Sequence, residues 1–309
     1  MIRETMPVAI LARVEEYAAP DFSPLLSEML TQTLYPQELK GALVLLKPNL
    51  ITARGGPLSC TNRAVILAVS KWFLDQGARV QVGDSPAFGS AASVLDSLQL
   101  TEALDALGVT IVEFDRLVSR TLPSGETVKV AARALECDLL VNLPKCKAHV
   151  QTRVTLAIKN YYGCVAGIRK AWWHMIHGGE SGRFADLIVQ LPLVLAPSIS
   201  LVDGIEAMHK NGPVHGVPFP AGILAAGQNP VALETVLLHV LGVASHSCPL
   251  WNAAVKQGLE GTTMGACTWL TGENPGYQIE GFQVPSELMP VRFNPFRFVR
   301  SSLQRFLLS

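Results

Sequence analysis

The sequence predicts an α/β fold, in which a mostly parallel sheet or sheets are flanked by helices, built as one domain or as two intimately packed lobes over residues 1–289. At 309 residues, 49% of them hydrophobic and only 16% charged, the chain can bury one large core or two medium ones. Short apolar runs alternate along the chain with segments of helical period. Because strand–helix–strand crossovers are nearly always right-handed and parallel, this alternation predicts a parallel sheet.

The first strand–helix–strand unit begins at an early apolar run. Residues 41–49, GALVLLKPN, are continuous and apolar until the run ends in a Lys-Pro-Asn turn, which predicts a buried strand. Residues 61–78 have helical period, with Thr61 as the predicted N-cap and Gly77 as the stop signal. Residues 79–86, RVQVGDSP, are typical of the next strand.

The same alternation continues to the last helix. Further strands are predicted over residues 109–114, 138–143, 198–204 and 221–227, and further helices near 90–107 and 183–195 and over 230–242. The last of these helices has Asn229 at its N-cap and Pro230 at its first helical position, which is a favourable start.

Composition and missing motifs exclude several function classes. Lys plus Arg and Asp plus Glu both total 25, so no overall field attracts nucleic acid, and electrostatic recognition must be local. The six cysteines are dispersed without a C-x-x-C pair, so we expect no iron–sulfur cluster and no zinc ribbon. The chain also lacks the G-x-G-x-x-G, P-loop and G-x-S-x-G motifs of dinucleotide-binding folds, P-loop NTPases and α/β-hydrolases.

The chain shows neither a signal peptide nor a membrane-spanning segment. Its first residues read as a charge pair followed by a strand-like run, and no apolar stretch reaches the roughly 18–20 residues that a spanning helix needs. We therefore expect a cytoplasmic protein with reduced cysteines.

Potential cations cluster just after the most apolar predicted strand. In VNLPKCKAHV, residues 141–150, the cluster consists of Lys145, Lys147 and His149. Ligands of open parallel sheets bind outside the carboxyl ends of the strands, and alternate residues of an extended segment point to one side. The ends of other predicted strands supply Lys47, Asn49, Asp84, Ser85, Asp203, Glu206, Gln228 and Asn229. For each of these residues taken alone, the alternative interpretation is that it lies in a solvated loop and has no role in a site.

The segment after this cluster contains a lysine in an apolar setting. Lys159 and Asn160 follow VTLAI and precede two tyrosines, and desolvation there would lower the lysine pKa and make it a better base or Schiff-base nucleophile. A structural lysine paired with a carboxylate is the alternative. His174 and His177, at i, i+3 spacing, share one helical face, and with a nearby carboxylate they are candidate ligands of a divalent metal. Two nearby histidines without a stricter motif are more often not ligands.

An ordered set of motifs spans roughly residues 40–262. It comprises Lys47-Pro48-Asn49, Gly83-Asp84-Ser85-Pro86, Pro144-Lys145-Cys146-Lys147-Ala148-His149, Lys159-Asn160-Tyr161-Tyr162-Gly163, Lys170 with His174, Val202-Asp203-Gly204, and Gly212-Pro213. In this set and order the chain resembles the domain of unknown function 362 family, which is distantly similar to the nickel-dependent lactate racemase group. The resemblance implies acid–base chemistry on a small carboxylate.

The chain departs from the family pattern at three places. Many members carry an inserted ferredoxin-like cysteine run, which this chain lacks, so the iron–sulfur association is not expected here. Asn229 and Glu234 stand where the family commonly has aspartate. A neutral Asn229 weakens any metal site at that point and leaves a hydrogen-bonding role.

We predict an enzyme that acts on a small anionic metabolite, a carboxylate or a phosphate, by Lys/His acid–base chemistry. The predicted substrate-binding residues are Lys47, Asn49, Lys145, Lys147 and Asn160; the predicted catalytic residues are His149, Lys159 and His174; the candidate metal ligands are His174, His177, Asp203 and Glu206. The two lysines and His149 of the cluster should share one cavity with Lys159 and His174. A non-catalytic binding protein for an anionic small molecule is the alternative.

The C-terminal tail forms a separate basic segment. Residues 290–309 contain four arginines and four phenylalanines and no acidic residue. From about Phe296 the pattern predicts a basic amphipathic helix that lies on an anionic membrane or docks on a partner. Packing back across the apolar surface of the protein itself is the alternative.

Overall fold

Strands and helices alternate in the structure, a computed structural model that describes residues 8–34, 38–53, 56–165, 182–274 and 276–289. The strands are β1 (Ala9–Arg13), β2 (Leu43–Pro48), β3 (Arg79–Asp84), β4 (Thr110–Glu113), β5 (Leu117–Thr121), β6 (Thr127–Ala131), β7 (Leu139–Leu143), β8 (Lys145–His149), β9 (Arg153–Thr155), β10 (Ser198–His209), β11 (Val217–Phe219), β12 (Ile223–Gly227) and β13 (Cys267–Trp269). The helices are α1 (Phe22–Leu34), α2 (Arg63–Asp75), α3 (Ala91–Ser97), α4 (Thr101–Ala106), α5 (Arg133–Glu136), α6 (Ala157–Asn160), α7 (Arg183–Ile188), α8 (Pro230–Val240) and α9 (Pro249–Lys256).

One mixed, mostly parallel sheet organises the fold. Within the described ranges it has eleven strands, with the path β13-β1-β12-β10-β7-β2-β3-β4, while β5 and β6 pair separately. All neighbours from β10 to β4 are parallel. Strand β12 is antiparallel to both β1 and β10, so the strand predicted at 221–227 does not join the parallel run. The predicted fold class, a mostly parallel sheet flanked by helices, is confirmed.

The central strands are buried on both faces, as parallel strands covered by helices should be. Alternate residues of β2 show this division. Val44 and Leu46 pack into the apolar cluster that contains Phe73 of α2, whereas Leu45 packs into the cluster that contains Tyr161. Because both faces are covered, functional groups can collect only at the ends of these strands.

The N-cap predicted for α2 is wrong by one residue. Asn62 caps the helix, because its side chain accepts a hydrogen bond from Ala64 N. Thr61 is used differently: its hydroxyl donates to Leu143 O over 2.6 Å and accepts from Asn49 N over 2.8 Å. Thr61 therefore ties the ends of β2 and β7 together, directly beside the predicted site.

Two long predicted helices are interrupted. The stretch near 90–107 is divided into α3 and α4, and Gln99 between them adopts a φ of 56°. The stretch near 183–195 ends as α7 and is followed by a short 3₁₀ turn, Leu191–Val194, with Pro192 in its first positions. Proline cannot donate the helical hydrogen bond, so the helix does not continue through it.

Two further predictions concern the C-terminal tail and membrane spans. Residues 290–309 lie outside the described residues, so the amphipathic tail stays a prediction. Over the ranges that the structure describes, no helix combines the length and the apolar character needed to cross a bilayer.

The start of α8 yields a stability prediction. Asn229 Oδ1 accepts from Val231 N over 2.8 Å and from Ala232 N over 3.2 Å, which confirms the predicted cap. We expect Asn229→Ala to lower the free energy of unfolding by about 1 kcal/mol in urea denaturation, because two backbone donors lose their acceptor. Asn229→Asp keeps the acceptor and is the control. Equal stability of Asn229→Ala and the wild type would contradict this role.

Candidate functional site

The short strand β8 brings two lysines into the interior. Lys145 and Lys147 are each only 1% exposed, and Cys146 between them belongs to an apolar cluster on the other face. The alternation of a strand explains this arrangement, since residues i and i+2 point to the same side. Strand β8 pairs with β10 and β9, which hold it at the carboxyl end of the parallel run.

Lys145 is neutralised by a carboxylate of β10. Its Nζ lies 3.0 Å from Asp203 Oδ2 and donates to the Tyr17 hydroxyl over 2.9 Å. Tyr17 in turn donates to Asp203 Oδ1, and Asn62 N donates to Asp203 Oδ2. Burial and the adjacent Asp203 charge raise the Tyr17 pKa well above its usual range, so Tyr17 stays a neutral hydroxyl. Lys145 and Asp203 thus form a closed, internally satisfied pair.

Lys47 forms a second buried ion pair at the end of β2. Its side chain is fully buried, and its Nζ lies 2.9 Å from Asp84 Oδ1 at the end of β3. Asp84 also accepts from the backbone N–H groups of Leu50 and Ser85. Gly163 covers this pair so closely that a Cβ atom there would overlap Asp84 Oδ1 and Lys47 Nζ. The short 3₁₀ turn Tyr161–Cys164 therefore requires glycine at position 163 for this close approach.

Lys147 differs from the other two buried lysines. It donates to Asn49 Oδ1 and, over 2.6 Å, to Ser59 O, both uncharged acceptors. In the described part of the chain it forms no ion pair. Its pKa is lowered to about 7, mainly by burial; of the nearby charges, Cys60 opposes this shift most, Lys159 and Lys145 add to it, and Asp84 opposes it more weakly. Burial thus brings the pKa of Lys147 well below that of an ordinary lysine.

A row of asparagine side chains continues from Lys147. Asn49 Nδ2 donates to Asn160 Oδ1 over 2.7 Å, and Asn160 Nδ2 donates to Asn142 Oδ1 over 2.8 Å. Asn142 Nδ2 then donates to Ser200 Oγ over 3.0 Å. Asn142, Asn160 and Ser200 are buried, so the row runs through the interior.

The remaining catalytic candidates lie at the border of this cluster. Lys159 Nζ lies 4.8 Å from the ring centroid of Tyr162 and 5.9 Å from that of Phe184, in agreement with the aromatic surroundings predicted for it. His149 Nδ1 accepts from Gln151 N and Thr152 N. In its neutral form the His149 ring therefore carries its proton on Nε2.

The metal hypothesis depends on residues that lie outside the described ranges. His174 and His177 both fall there, as does Lys170 of the family pattern. Asp203 already uses both oxygens on protein donors, and Glu206 is exposed on the same strand. Among the residues that the structure describes, no group of three or more His, Cys, Asp or Glu side chains could hold a metal ion.

The predicted residues come together, but in a closed interior. Hydrogen bonds link Lys147, Asn49, Asn160 and the backbone of Lys47, while Lys145 pairs separately with Asp203 next to Lys147 on the same strand. The lysines are not splayed into solvent, as the loop alternative required. Their hydrogen bonds go to protein groups, so the common cavity that we expected takes the form of a packed polar cluster.

Sequence reasoning missed four residues of this region. They are Tyr17, Asn142, Ser200 and Glu234; the sequence had marked Glu234 only as a departure from the family pattern. Asn142 had a local signal, because it is a lone polar residue inside the apolar run DLLVNL. Glu234 is fully buried in α8; its Oε2 accepts from Ile158 N, its Oε1 has no partner among the described residues, and burial raises its pKa to about 7.

Comparison with known sequences places the chain in a family. The profile described as a domain of unknown function (DUF362) matches residues 44–239, which include all of the buried lysines and asparagines above. The chain belongs to this family. A thylakoid-associated protein of Synechocystis sp. is 35% identical over 268 residues, which cover 86% of this chain and 83% of that relative.

Two solved structures show weaker similarity. The lactate racemase apoprotein of Thermoanaerobacterium thermosaccharolyticum matches with a TM-score of 0.39 and 12% identity, over 62% of this chain and 50% of that one. A protein of Thermotoga maritima matches with a TM-score of 0.42 and 14% identity, over 68% of this chain and 55% of that one. The matched regions thus span about half the length of these two proteins.

The close cover of the Lys47–Asp84 pair yields a second stability prediction. We expect Gly163→Ala to lower the free energy of unfolding by about 3 kcal/mol or more, because the new methyl group must displace a buried ion pair. Gly108→Ala is the control. Gly108 has open space around the position of a Cβ atom but a φ of 74°, so backbone strain alone should lower the free energy of unfolding by about 1–2 kcal/mol. Similar losses in the two variants, measured by denaturant unfolding, would show that the cover is not tight.

Proposed function

We propose that this protein is an enzyme that acts on a small anionic metabolite by acid–base chemistry, with Lys147 as its principal proton-transfer group. The observation that carries the proposal is a buried lysine whose described hydrogen-bond acceptors are all uncharged and whose pKa lies at about 7. A general acid or base works best when its pKa is close to the working pH. An ordinary surface lysine titrates more than three units higher and would be a poor base at neutral pH.

The hydrogen bonds of Lys147 account for two of the three N–H bonds of its ammonium group. An ammonium group has three N–H bonds, and Asn49 Oδ1 and Ser59 O accept two of them. Among the described residues the third has no further acceptor within hydrogen-bond distance. Two fixed acceptors also fix the direction of the third bond, so the transferable proton, or the lone pair after deprotonation, has a defined direction.

Charge balance favours an anionic substrate. The three buried lysines face two carboxylates, Asp84 and Asp203, which are paired with Lys47 and Lys145. Of the three, Lys147 is therefore the lysine without a carboxylate partner among the described residues, and the neighbouring charge of Lys159 lowers its pKa. A carboxylate or phosphate entering this region would offset the cost of burying those cations.

The roles of the other candidates follow from this assignment. Lys159 would bind the anion, held by the rings of Tyr162 and Phe184. His149 would exchange protons through Nε2, since its Nδ1 is held by the backbone. The role of His174 as a further proton carrier stays a hypothesis, and so does a divalent metal.

Proton transfer can be tested by hydrogen–deuterium exchange. Small 2-hydroxy and 2-oxo carboxylates and their phosphorylated analogues would be incubated with the protein in D₂O, and exchange at carbon followed by proton NMR. We expect exchange of at least one compound and a loss of about 100-fold or more in Lys147→Met. Lys71→Met, which alters an exposed lysine of α2, is the control and should keep full activity.

The same panel separates catalysis from the binding-protein alternative. A compound that binds in native mass spectrometry, with no exchange and no turnover in the wild type, would overturn the enzyme proposal. Such a result would favour a non-catalytic protein that binds an anionic small molecule.

The depressed pKa of Lys147 also predicts a pH dependence of stability. Between pH 7 and pH 10.5 the unfolded chain binds a proton at this lysine that the folded chain has released, so the free energy of unfolding rises with pH in that window. Lys147→Met removes this contribution. We therefore expect the stability of the variant relative to the wild type to fall steadily from pH 7 to pH 10 in urea titrations. A difference that does not change with pH would contradict the shifted pKa.

A further inference from the structure

We infer that Asn49, Asn160 and Asn142 form a relay that positions Lys147 and supports its charged form, and that the two inner members, Asn160 and Asn142, do not contact the substrate. This inference deepens the proposed function and rests on Lys147 as the proton-transfer group. The sequence had indicated a substrate-binding role for Asn49 and Asn160. The geometry of their amide groups points to a role behind the lysine.

The direction of the whole relay follows from Lys147. A charged lysine can only donate, so Asn49 must turn its oxygen towards Nζ, which leaves its NH₂ group facing Asn160. Asn160 must then present its oxygen to Asn49 and its NH₂ group to Asn142. Reversing any one amide would bring two donors, or two acceptors, into contact.

The inner members of the relay have no N–H group to spare for a ligand. Asn160 Nδ2 donates both to Asn142 Oδ1 and, over 3.3 Å, to Lys47 O. Asn142 Nδ2 donates both to Ser200 Oγ and, over 3.0 Å, to Ala157 O. Their partners belong to β2, β7, α6 and β10, so the relay is fixed by four elements of the fold.

Aligned amides strengthen the last acceptor in the row. In a buried, weakly polar surrounding, each hydrogen bond polarises the next, so Asn49 Oδ1 should be a better acceptor than an isolated amide. A better acceptor stabilises the ammonium form of Lys147 and opposes the effect of burial. The relay therefore opposes the lowering of the Lys147 pKa by burial, in addition to the opposing charges of Cys60 and Asp84.

Removing an inner amide should consequently lower the pKa of Lys147. Asn142→Leu keeps the approximate side-chain shape and leaves the direct contacts of Lys147 intact. One weakened hydrogen bond corresponds to a decrease of about half a unit to one unit. The pKa would be followed by NMR of ¹³C- and ¹⁵N-labelled lysine side chains, with the Lys147 signal assigned through its loss in Lys147→Arg.

Two further variants make the result decisive. Ser70→Ala removes another buried hydroxyl, on α2 and outside the relay, and should leave the Lys147 pKa unchanged. Ser200→Ala interrupts the relay one step farther from Lys147 and replaces Asn142→Leu in the test if that variant does not fold. It should lower the Lys147 pKa as well, but by a smaller amount. An unchanged pKa in the folded relay variants, or an equal shift in Ser70→Ala, would overturn the relay. The pKa measurement does not depend on turnover, so it tests the relay independently of the exchange experiment, which tests the proposed enzyme activity. Either hypothesis can be contradicted while the other holds.

Discussion

The arrangement of this site depends on burying three ammonium groups of which, among the described residues, only two pair with a carboxylate. An unpaired buried charge is costly, and a lysine reduces that cost by releasing its proton at lower pH. The structure places the two carboxylates against Lys47 and Lys145, so the imbalance falls on Lys147. The lowered pKa of Lys147 therefore follows from its burial and from the pairing of the two carboxylates with the other lysines.

The fold produces this charge imbalance by bringing segments that are distant in the sequence to one end of the sheet. Parallel strands β2, β3 and β7 end there and β10 runs past it, and each of the four contributes a charged or amide side chain. Gly163 lets the backbone close over one ion pair, and Thr61 ties two strand ends together. Close packing around the lysines excludes the water that would otherwise restore an ordinary pKa to Lys147.

Local pattern was enough to find the strand ends and the lysines on them, because strand periodicity alone places Lys145 and Lys147 on one side. It did not identify which lysine has the shifted pKa. Aromatic neighbours in the sequence favoured Lys159, whereas the decisive factor is which lysines meet Asp84 and Asp203 in the folded chain. Tyr17 could not be predicted either, since only tertiary packing brings it to Lys145, 128 positions away.

The central claim is that Lys147 is an uncompensated buried lysine, and its pKa is the most direct measure of that. In wild-type protein labelled with ¹³C and ¹⁵N at the lysine side chains, the Lys147 signal should titrate with a midpoint near pH 7, while exposed lysines titrate near their usual value of about 10.4. A midpoint near 10 for Lys147 would mean that a counter-charge or water reaches its ammonium group, and it would contradict the claim that this lysine is buried without compensation.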